Sequence, residues 1–309
     1  MTSADHSRLV ISAGIASVAA SALLVAVKLW AMGATTSLAV AASLADSAMD
    51  LMTSLAALAG IFYAAKPADE DHAFGHTSAE DLTALGQALF ILISAGAIAT
   101  AAVWRLLDPA PPPMTAQGAG IAVMVFAIFV TGLLVVWQGY VARATGNRIV
   151  AADRLHYLGD LLPNIGAIAA LWASQQFGLA ALDSVIALGT AGLLALGAIR
   201  IGNGAWDALM DRSADKDVLD GIAAIARDWP GVRGYHDLKT RTAGSRVFVN
   251  LHVELDGHQT LREAHEIGAA LRRAIISRFP QTDVIIHKDV ARIAPASDTS
   301  SLPPEPPRT

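Results

Sequence analysis

The chain has 309 residues, of which 54% are hydrophobic and 16% are charged, and its mean hydropathy of +0.47 is far above that of a typical water-soluble domain. This balance indicates a membrane protein. The net charge of −5, without a basic patch interleaved with aromatic residues, excludes a nucleic-acid-binding surface. The absence of cysteine excludes disulfides and thiolate metal sites, so any metal chemistry must use imidazole and carboxylate groups.

Six apolar runs are long enough to cross the roughly 30 Å hydrocarbon core of a bilayer as α-helices, which predicts an all-α six-helix transmembrane bundle within residues 1–210. The sixth run is the weakest, because Arg200 and Asp207 interrupt it. The first lacks the charged start and the cleavage site of a signal peptide, so we expect no cleaved leader. The predicted spans are 9–32, 37–65, 82–107, 115–142, 149–177 and 182–209.

Basic residues flank one set of helix ends far more than the other, which predicts that both termini face the cytoplasm. The opposite ends carry little beyond Lys28 and Arg105. The proline-rich stretch "DPAPPPMTAQG" at 108–118 is then an external loop, since its prolines cannot continue a helix. The residues at the basic ends are Arg8, Lys66, Arg143, Arg148, Arg154, Arg212 and Lys216.

The composition turns soluble after Met210, and the elements that follow predict a small two-layer α+β domain of αββαβ order at 211–293. Its second strand, "SRVFVNLHVEL", alternates between an aliphatic face and a face that carries His252 and Glu254. The last segment, 294–309, is too rich in proline and serine to fold, so we predict a disordered tail.

The second span contains two carboxylates in the stretch "SLADSAMDLM". Asp46 and Asp50 are four residues apart, so on a helix they lie on one face. A charged side chain at bilayer depth costs about 2.5–3.5 kcal/mol even on insertion scales, and two adjacent carboxylates also repel each other. A patch that only held helices together would be served by Ser, Thr or Asn at lower cost, so the pair indicates binding of a cation or of protons.

The fifth span repeats this spacing in "HYLGD", where His156 and Asp160 share one helix face. Alone, this motif would be typical of a polar helix end at the membrane interface. Together with Asp46 and Asp50 it supplies four imidazole and carboxylate ligands, the number that Zn²⁺ favours.

Two further groups of candidate metal ligands lie outside the spans. The loop "ADEDHAFGHTSAE" offers Asp69, His72 and His76, with Gly75 available for a tight turn; a solvated acidic loop with incidental histidines is the alternative interpretation. The α+β segment contains four histidines and an aspartate near the edges of predicted elements, which are His236, His252, His265, His287 and Asp289.

These motifs in this order resemble the cation diffusion facilitator (CDF) family, in its bacterial zinc and ferrous-iron efflux branch. The resemblance spans about Arg8 to Val290 and includes "ADSAMD", "ADEDHAFGHTSAE", "ADRLHYLGD", "WPGVRGYHDLKTR", "AHEIGAALRRAIISRFP" and "DVIIHKD". It implies a homodimeric, multi-pass transporter of the bacterial inner membrane, which is not an enzyme and has no cofactor beyond its transported and regulatory metal ions. It also implies a metallochaperone-like (ferredoxin-like) cytoplasmic domain.

The resemblance further implies roles for the candidate ligands. Asp46, Asp50, His156 and Asp160 match the transport site, and Asp69, His72 and His76 match a loop site. A dinuclear site at the cytoplasmic dimer interface would use His236, His252, His265, His287 and Asp289. The mixed ligand set is similar to that of zinc and cadmium carriers, with iron also admitted, whereas manganese carriers tend to have aspartate in place of His156.

One position departs from the family pattern. Related transporters carry a lysine soon after the loop histidines, which pairs with an aspartate at the end of the sixth span and helps to lock the dimer in the membrane. Here Ser78 stands at the lysine position, while the aspartate is present as Asp211. We therefore expect the dimer to depend more on its cytoplasmic domain.

The predicted function is proton-coupled export of a divalent metal ion by alternating access. Because all four ligands must be deprotonated to bind metal, protons and metal compete for one site, and His156 is the best proton carrier near neutral pH. The alternatives are a membrane metal sensor without transport and an intramembrane metal-dependent hydrolase.

Overall fold

The computed structural model describes residues 3–35, 38–107, 118–177 and 182–291. The predicted disordered tail and nearly all of the predicted external loop lie outside these residues. The helices are α1 (Ser3–Thr35), α2 (Leu38–Ala64), α3 (Ser78–Leu107), α4 (Gly118–Thr145), α5 (Arg148–Phe177), α6 (Leu182–Leu209), α7 (Lys216–Arg227) and α8 (Leu261–Arg278), and the strands are β1 (Gly234–Ala243), β2 (Arg246–Leu255) and β3 (Thr282–Val290).

The described residues form two compact units, a helical unit of those up to 213 together with 241–247, and an α+β unit of 214–240 with 248–291. Helices α1–α6 correspond one to one with the six predicted spans. Among the described residues, five helices are long and apolar enough to cross a membrane, namely α1, α2, α3, α4 and α6. Helix α5 is not among them; its first half carries four ionisable residues, Arg148, Asp153, Arg154 and Asp160.

The interior of the helical unit is built largely from small side chains. Ala13 of α1 packs with Ala57 of α2, and Ala88 and Ala95 of α3 pack with Ala198 of α6. Small residues let helix backbones approach closely, which is how helices associate where lipid removes the hydrophobic driving force. Large apolar side chains instead face outward, for example Trp30, Phe129 and Leu196, as expected of a surface covered by lipid.

In the α+β unit, β2 is the central strand of a sheet with the order β1-β2-β3. Its predicted aliphatic face is buried at Val249, Leu251, Val253 and Leu255, and α8 contributes Leu271 and Ile275 to the unit's core. Thr260 and Glu263 form a reciprocal capping box at the start of α8. The predicted α+β fold is therefore confirmed.

The turn between β1 and β2 belongs to the helical unit, where it contacts the start of α3. The backbone N–H of Gly244 donates to Asp81 Oδ2 at 2.6 Å, and Ser245 Oγ donates to Glu80 Oε1 at 3.2 Å. Asp81 is 1% exposed and also forms an ion pair with Arg148 at the start of α5. This single carboxylate therefore joins α3, α5 and the turn.

Replacing Gly244 with alanine is expected to dislodge this turn. Gly244 has a φ of +54°, and an added Cβ would lie 2.3 Å from the carbonyl oxygen of Thr77. Loss of the two hydrogen bonds to carboxylates would destabilise the unit by about 2–5 kcal/mol, in addition to about 1–2 kcal/mol of backbone strain. A lowered Tm of the full chain in detergent, with faster hydrogen exchange at 77–81, would be the result.

Gly146→Ala is the matched control for this experiment. Gly146 has a similar φ of +66°, but an added Cβ would meet nothing within 4 Å. It should therefore show the backbone strain alone. Equal losses of Tm in the two variants would contradict the docking role of the turn.

Candidate metal centres

The first centre lies between α2 and α5 in the helical unit. His156 Nε2 is 3.2 Å from Asp50 Oδ1 and 3.9 Å from Asp160 Oδ2, and one ligand atom from each of the three residues lies within 4.8 Å of the others. The structure thus brings together three of the four predicted ligands. Asp46 lies one helical turn before Asp50, and its side chain is outside the described part of the structure.

Neighbouring side chains determine how α2 and α5 meet at this centre. The Tyr157 side chain is 1% exposed, and its hydroxyl lies 2.7 Å from Ser54 Oγ, one turn along α2 from Asp50. Because Tyr157 is adjacent to His156, this hydrogen bond holds His156 at the level of Asp50. The ring of Phe90 lies 5.8 Å from the His156 ring and covers it from α3.

The second centre is the loop between α2 and α3. Asp69 Oδ1 is 3.2 Å from His72 Nδ1, and Asp69 Oδ2 is 3.2 Å from His76 Nε2. The backbone N–H of His72 donates to Asp69 at 2.7 Å, which lowers the pKa of that carboxyl and favours its ionised form. Gly75, at a φ of +84°, closes the turn by donating to the His72 carbonyl oxygen.

His76 is the best oriented ligand of this loop. Its side chain is 3% exposed, and its Nδ1 lies 3.1 Å from the carbonyl oxygen of Pro67. Because a carbonyl only accepts, Nδ1 carries the proton in this contact, which leaves the Nε2 lone pair directed toward Asp69. A backbone contact of this kind fixes the tautomer of many metal-binding histidines.

The third centre lies across the three neighbouring strands of the α+β unit. Asp289 Oδ2 of β3 is 2.9 Å from His252 Nδ1 of β2 and 3.3 Å from His236 Nε2 of β1, and Asp289 Oδ1 is 3.2 Å from His287 Nε2. The hydrogen bond from His252 lowers the pKa of Asp289, so the carboxylate remains ionised. Glu254 Oε1 is 3.9 Å from His236 Nε2.

His265 is the remaining residue predicted for this third centre. It is exposed on α8, and within the described part of the chain it does not belong to the group that His236, His252 and Asp289 form. Its assignment as a ligand therefore stays a prediction.

The structure also describes Ser78 and Asp211, the two residues that correspond to the interlocking pair of related transporters. Ser78 is the first residue of α3, and Asp211, just after α6, lies 3.3 Å from Arg241 in an exposed ion pair. The predicted loss of a membrane interlock between subunits stays a prediction.

Sequence reasoning missed two buried acidic positions in the helical unit. Asp81 ties the turn to α5, and Asp153, 3% exposed, lies one turn before His156. The signal for Asp153 was present in "ADRLHYLGD", since a carboxylate three residues before His156 lies near the same helix face. The signal for Asp81 was absent, because its partners come from distant segments.

All three centres combine imidazole with carboxylate, the donor set of a protein that binds borderline divalent ions without thiolates. The centre between α2 and α5 lies in the helical unit, and α2 is one of its helices that are long and apolar enough to cross a membrane. An ionisable group in such a helix is typical of a functional site on the path of an ion. This combination is that of a membrane metal-ion transporter.

The sequence comparisons identify its family. Residues 14–210 match the family described as "Cation efflux transmembrane domain", and residues 214–290 match "Cation efflux protein, cytoplasmic domain". The chain therefore belongs to the cation efflux family and is a multi-pass membrane protein. Members of this family are transporters and not enzymes, and metal ions are their cargo, with no bound cofactor required.

Its relatives include proteins named as cation-efflux pumps. The chain is 40% identical to the cation-efflux pump FieF of Cronobacter sakazakii, over 94% of this chain and 96% of the relative, and 39% identical to that of Escherichia fergusonii, with the same coverage. Among solved structures, the metal-bound C-terminal domain of the CzcD transporter from Thermotoga maritima is 29% identical to the matched segment. The match spans 24% of this chain and 87% of the solved chain, with a TM-score of 0.23.

Proposed function

We propose that this chain exports divalent metal ions from the cytoplasm in exchange for protons, with Zn²⁺ as the main substrate and Fe²⁺ and Cd²⁺ as further substrates. The observation that carries the proposal is the meeting of Asp50, His156 and Asp160 between two helices of the membrane unit. The names of the relatives, which are cation-efflux pumps, support the direction of transport.

Competition between metal ions and protons for this centre explains the proposed exchange of one for the other. A divalent ion binds only when the imidazole and carboxylates are deprotonated, so each metal ion that binds displaces protons. Histidine is the side chain that most readily changes charge near neutral pH, so a pH difference across the membrane can change the proton occupancy of His156. In the proposed cycle the centre opens to the cytoplasm to take metal, then opens outward, where protons displace it.

Zn²⁺ is the preferred substrate because of the ligands. Three carboxylates and one imidazole, counting Asp46, supply four donors, the coordination number that Zn²⁺ favours. The histidine disfavours the hardest ions, Mg²⁺ and Ca²⁺, which take oxygen ligands.

The protein is proposed to act as a homodimer in the bacterial inner membrane, with both termini in the cytoplasm. The loop centre and the strand centre then face the cytoplasm and sense its metal. Metal bound there biases the transport cycle by its differential affinity for the two conformations, which makes those centres regulatory.

Metal uptake into proteoliposomes tests the proposal. With the purified full chain, Zn²⁺ should accumulate in the compartment of lower pH, and its entry should be matched by proton movement out of that compartment. A membrane metal sensor would bind Zn²⁺ without moving it, so metal binding without flux at any pH difference would replace the proposal by this alternative.

Replacing Asp289 with alanine is expected to separate regulation from conduction. Transport should fall several-fold at limiting Zn²⁺ and recover at saturating Zn²⁺, because the centre between α2 and α5 is unchanged. The matched control is His258→Ala, which removes an exposed histidine of the same unit from outside the strand centre. Loss of all metal binding in Asp289→Ala would show that the division between the centres is wrong.

A further inference from the structure

A group of buried polar side chains, the polar seam, consists of Ser17, Gln138 and Asp153 and lies one helical turn before His156. Its centre is Asp153, whose Oδ2 accepts hydrogen bonds from Ser17 Oγ at 2.5 Å and from Gln138 Nε2 at 2.7 Å. Gln138 Nε2 also donates to Ser17 Oγ at 2.8 Å. Because Ser17 is on α1 and Gln138 on α4, Asp153 links α5 to both helices.

The seam contains acceptors that these contacts do not satisfy. Asp153 Oδ1 and Gln138 Oε1 are buried without a hydrogen-bond partner among the described residues, and the Gln138 side chain is fully buried. An ionised carboxylate in such a place costs several kcal/mol unless a positive charge compensates it. No lysine or arginine of the described residues forms an ion pair with Asp153.

The donors around Asp153 favour a proton over a metal ion as the compensating charge. A metal ion requires oxygen atoms directed at it from several sides. Here the amide N–H₂ of Gln138 is directed at Asp153 Oδ2 and at Ser17 Oγ, so both oxygens are already engaged by a donor. A proton on the carboxyl group needs no further ligands, and it removes the negative charge that no described cation compensates.

We propose that Asp153 is a proton-binding residue of the transport cycle, separate from the metal centre and coupled to it through α5. This inference rests on the proposed metal–proton exchange and assigns one of its protons. Asp153 and His156 are three residues apart on one helix, so a movement of α5 that opens the metal centre also changes the surroundings of Asp153.

The titratable groups that act on Asp153 come from two helices. His156 and Tyr157 lie on α5, and Asp50 faces it from α2. The contacts described from α1 and α4 are the neutral groups of Ser17 and Gln138. Metal bound at Asp50 and His156 adds positive charge near Asp153 and so favours release of its proton, while proton binding at Asp153 favours release of the metal.

The number of protons exchanged per metal ion tests the proposal. Asp153→Asn keeps the shape of the neutral acid but cannot exchange a proton. With the membrane potential clamped at zero, the metal gradient sustained by a pH difference of about one unit should be about tenfold smaller than in the wild type, because one proton fewer is exchanged. An unchanged gradient would overturn the proposal.

Ser17→Ala is the matched variant in the same seam. It removes a hydrogen-bond donor to Asp153 but no titratable group, so the sustained metal gradient should equal that of the wild type even if the rate falls. An equally reduced gradient in Ser17→Ala would mean that the seam has only a structural role, which would overturn the proposal. If the wild-type gradient does not respond to pH at all, the proposed exchange itself fails.

Infrared difference spectra provide a readout independent of transport. Adding Zn²⁺ to the wild type should remove a protonated-carboxyl band that is missing in Asp153→Asn. A variant that fails to fold is recognised by loss of Zn²⁺ binding, and Asp153→Glu, which restores a titratable acid, should then recover the band. The same band in Asp153→Asn, or a gradient that depends on Na⁺ instead of pH, would overturn the assignment.

Discussion

Replacing Asp50 with alanine should abolish metal transport while the protein remains folded in the membrane. Asp50 lies on α2 with its Oδ1 3.2 Å from His156 Nε2, and its side chain makes no other ion pair among the described residues. Changing a residue that only supports a metal ligand typically lowers affinity by about 10–100-fold, so loss of a ligand should exceed about 100-fold. Radioactive or fluorescent Zn²⁺ uptake into proteoliposomes measures this directly.

Two controls make the Asp50 experiment specific. Asp217→Ala removes an exposed carboxylate from the first turn of α7 and should transport as the wild type does. In Asp50→Ala the loop centre around Asp69 and the strand centre around Asp289 should still bind Zn²⁺. The number of Zn²⁺ ions bound per chain at equilibrium should therefore decrease without reaching zero. Uptake above about a tenth of the wild-type rate would contradict the placement of the transport site.

Replacing His156 with aspartate should change which ions are carried and how pH controls them. The variant would present carboxylate oxygens alone, a donor set that suits Mn²⁺ and other hard ions better than the mixed set does. An aspartate has an ordinary pKa near 3.9, against about 6.5 for histidine, so protons near neutral pH would compete less well with the metal. We expect Zn²⁺ preference over Mn²⁺ to fall by about tenfold or more, with a flatter pH dependence.

The control for this prediction is His258→Asp, which makes the same chemical change at an exposed position of the α+β unit. It should leave ion preference and pH dependence unchanged. If His156→Asp kept both properties of the wild type, His156 could not be the residue that selects the ion and exchanges its proton. Competition between Zn²⁺ and Mn²⁺, measured over a range of pH, decides the question.

The three centres share donor chemistry but differ in their surroundings. The centre of Asp50 and His156 lies between helices that also supply buried Ser54 and Tyr157, so its geometry depends on helix packing. The strand centre around Asp289 is more exposed and rests on a sheet. These surroundings suit the proposed roles, because a site that opens to both sides of a membrane needs helices that move, and a site that senses cytoplasmic metal needs access to water.

Much of the architecture was predictable because local rules decide it. Span lengths followed from the hydrophobic thickness of a bilayer, and the aliphatic face of β2 followed from strand alternation, with Val249, Leu251 and Val253 buried as predicted. The i, i+4 spacing placed His156 and Asp160 on one helix face before any packing was known. The sixth run had the weakest signal because Arg200 and Asp207 interrupt it, yet α6 extends over Leu182–Leu209 as predicted.

The sequence by itself determined the class of the protein and the types of metal ligand, because these follow from composition. It also determined which ligand pairs share a helix face, because helical periodicity acts over a few residues. Only the tertiary structure decided which pairs meet. It placed Asp50 against His156, brought Asp289 to His236 and His252, and joined Asp81 to both Arg148 and Gly244. These contacts join residues far apart in the chain, and the free energy that selects them comes from packing and buried polar groups, which no local pattern records.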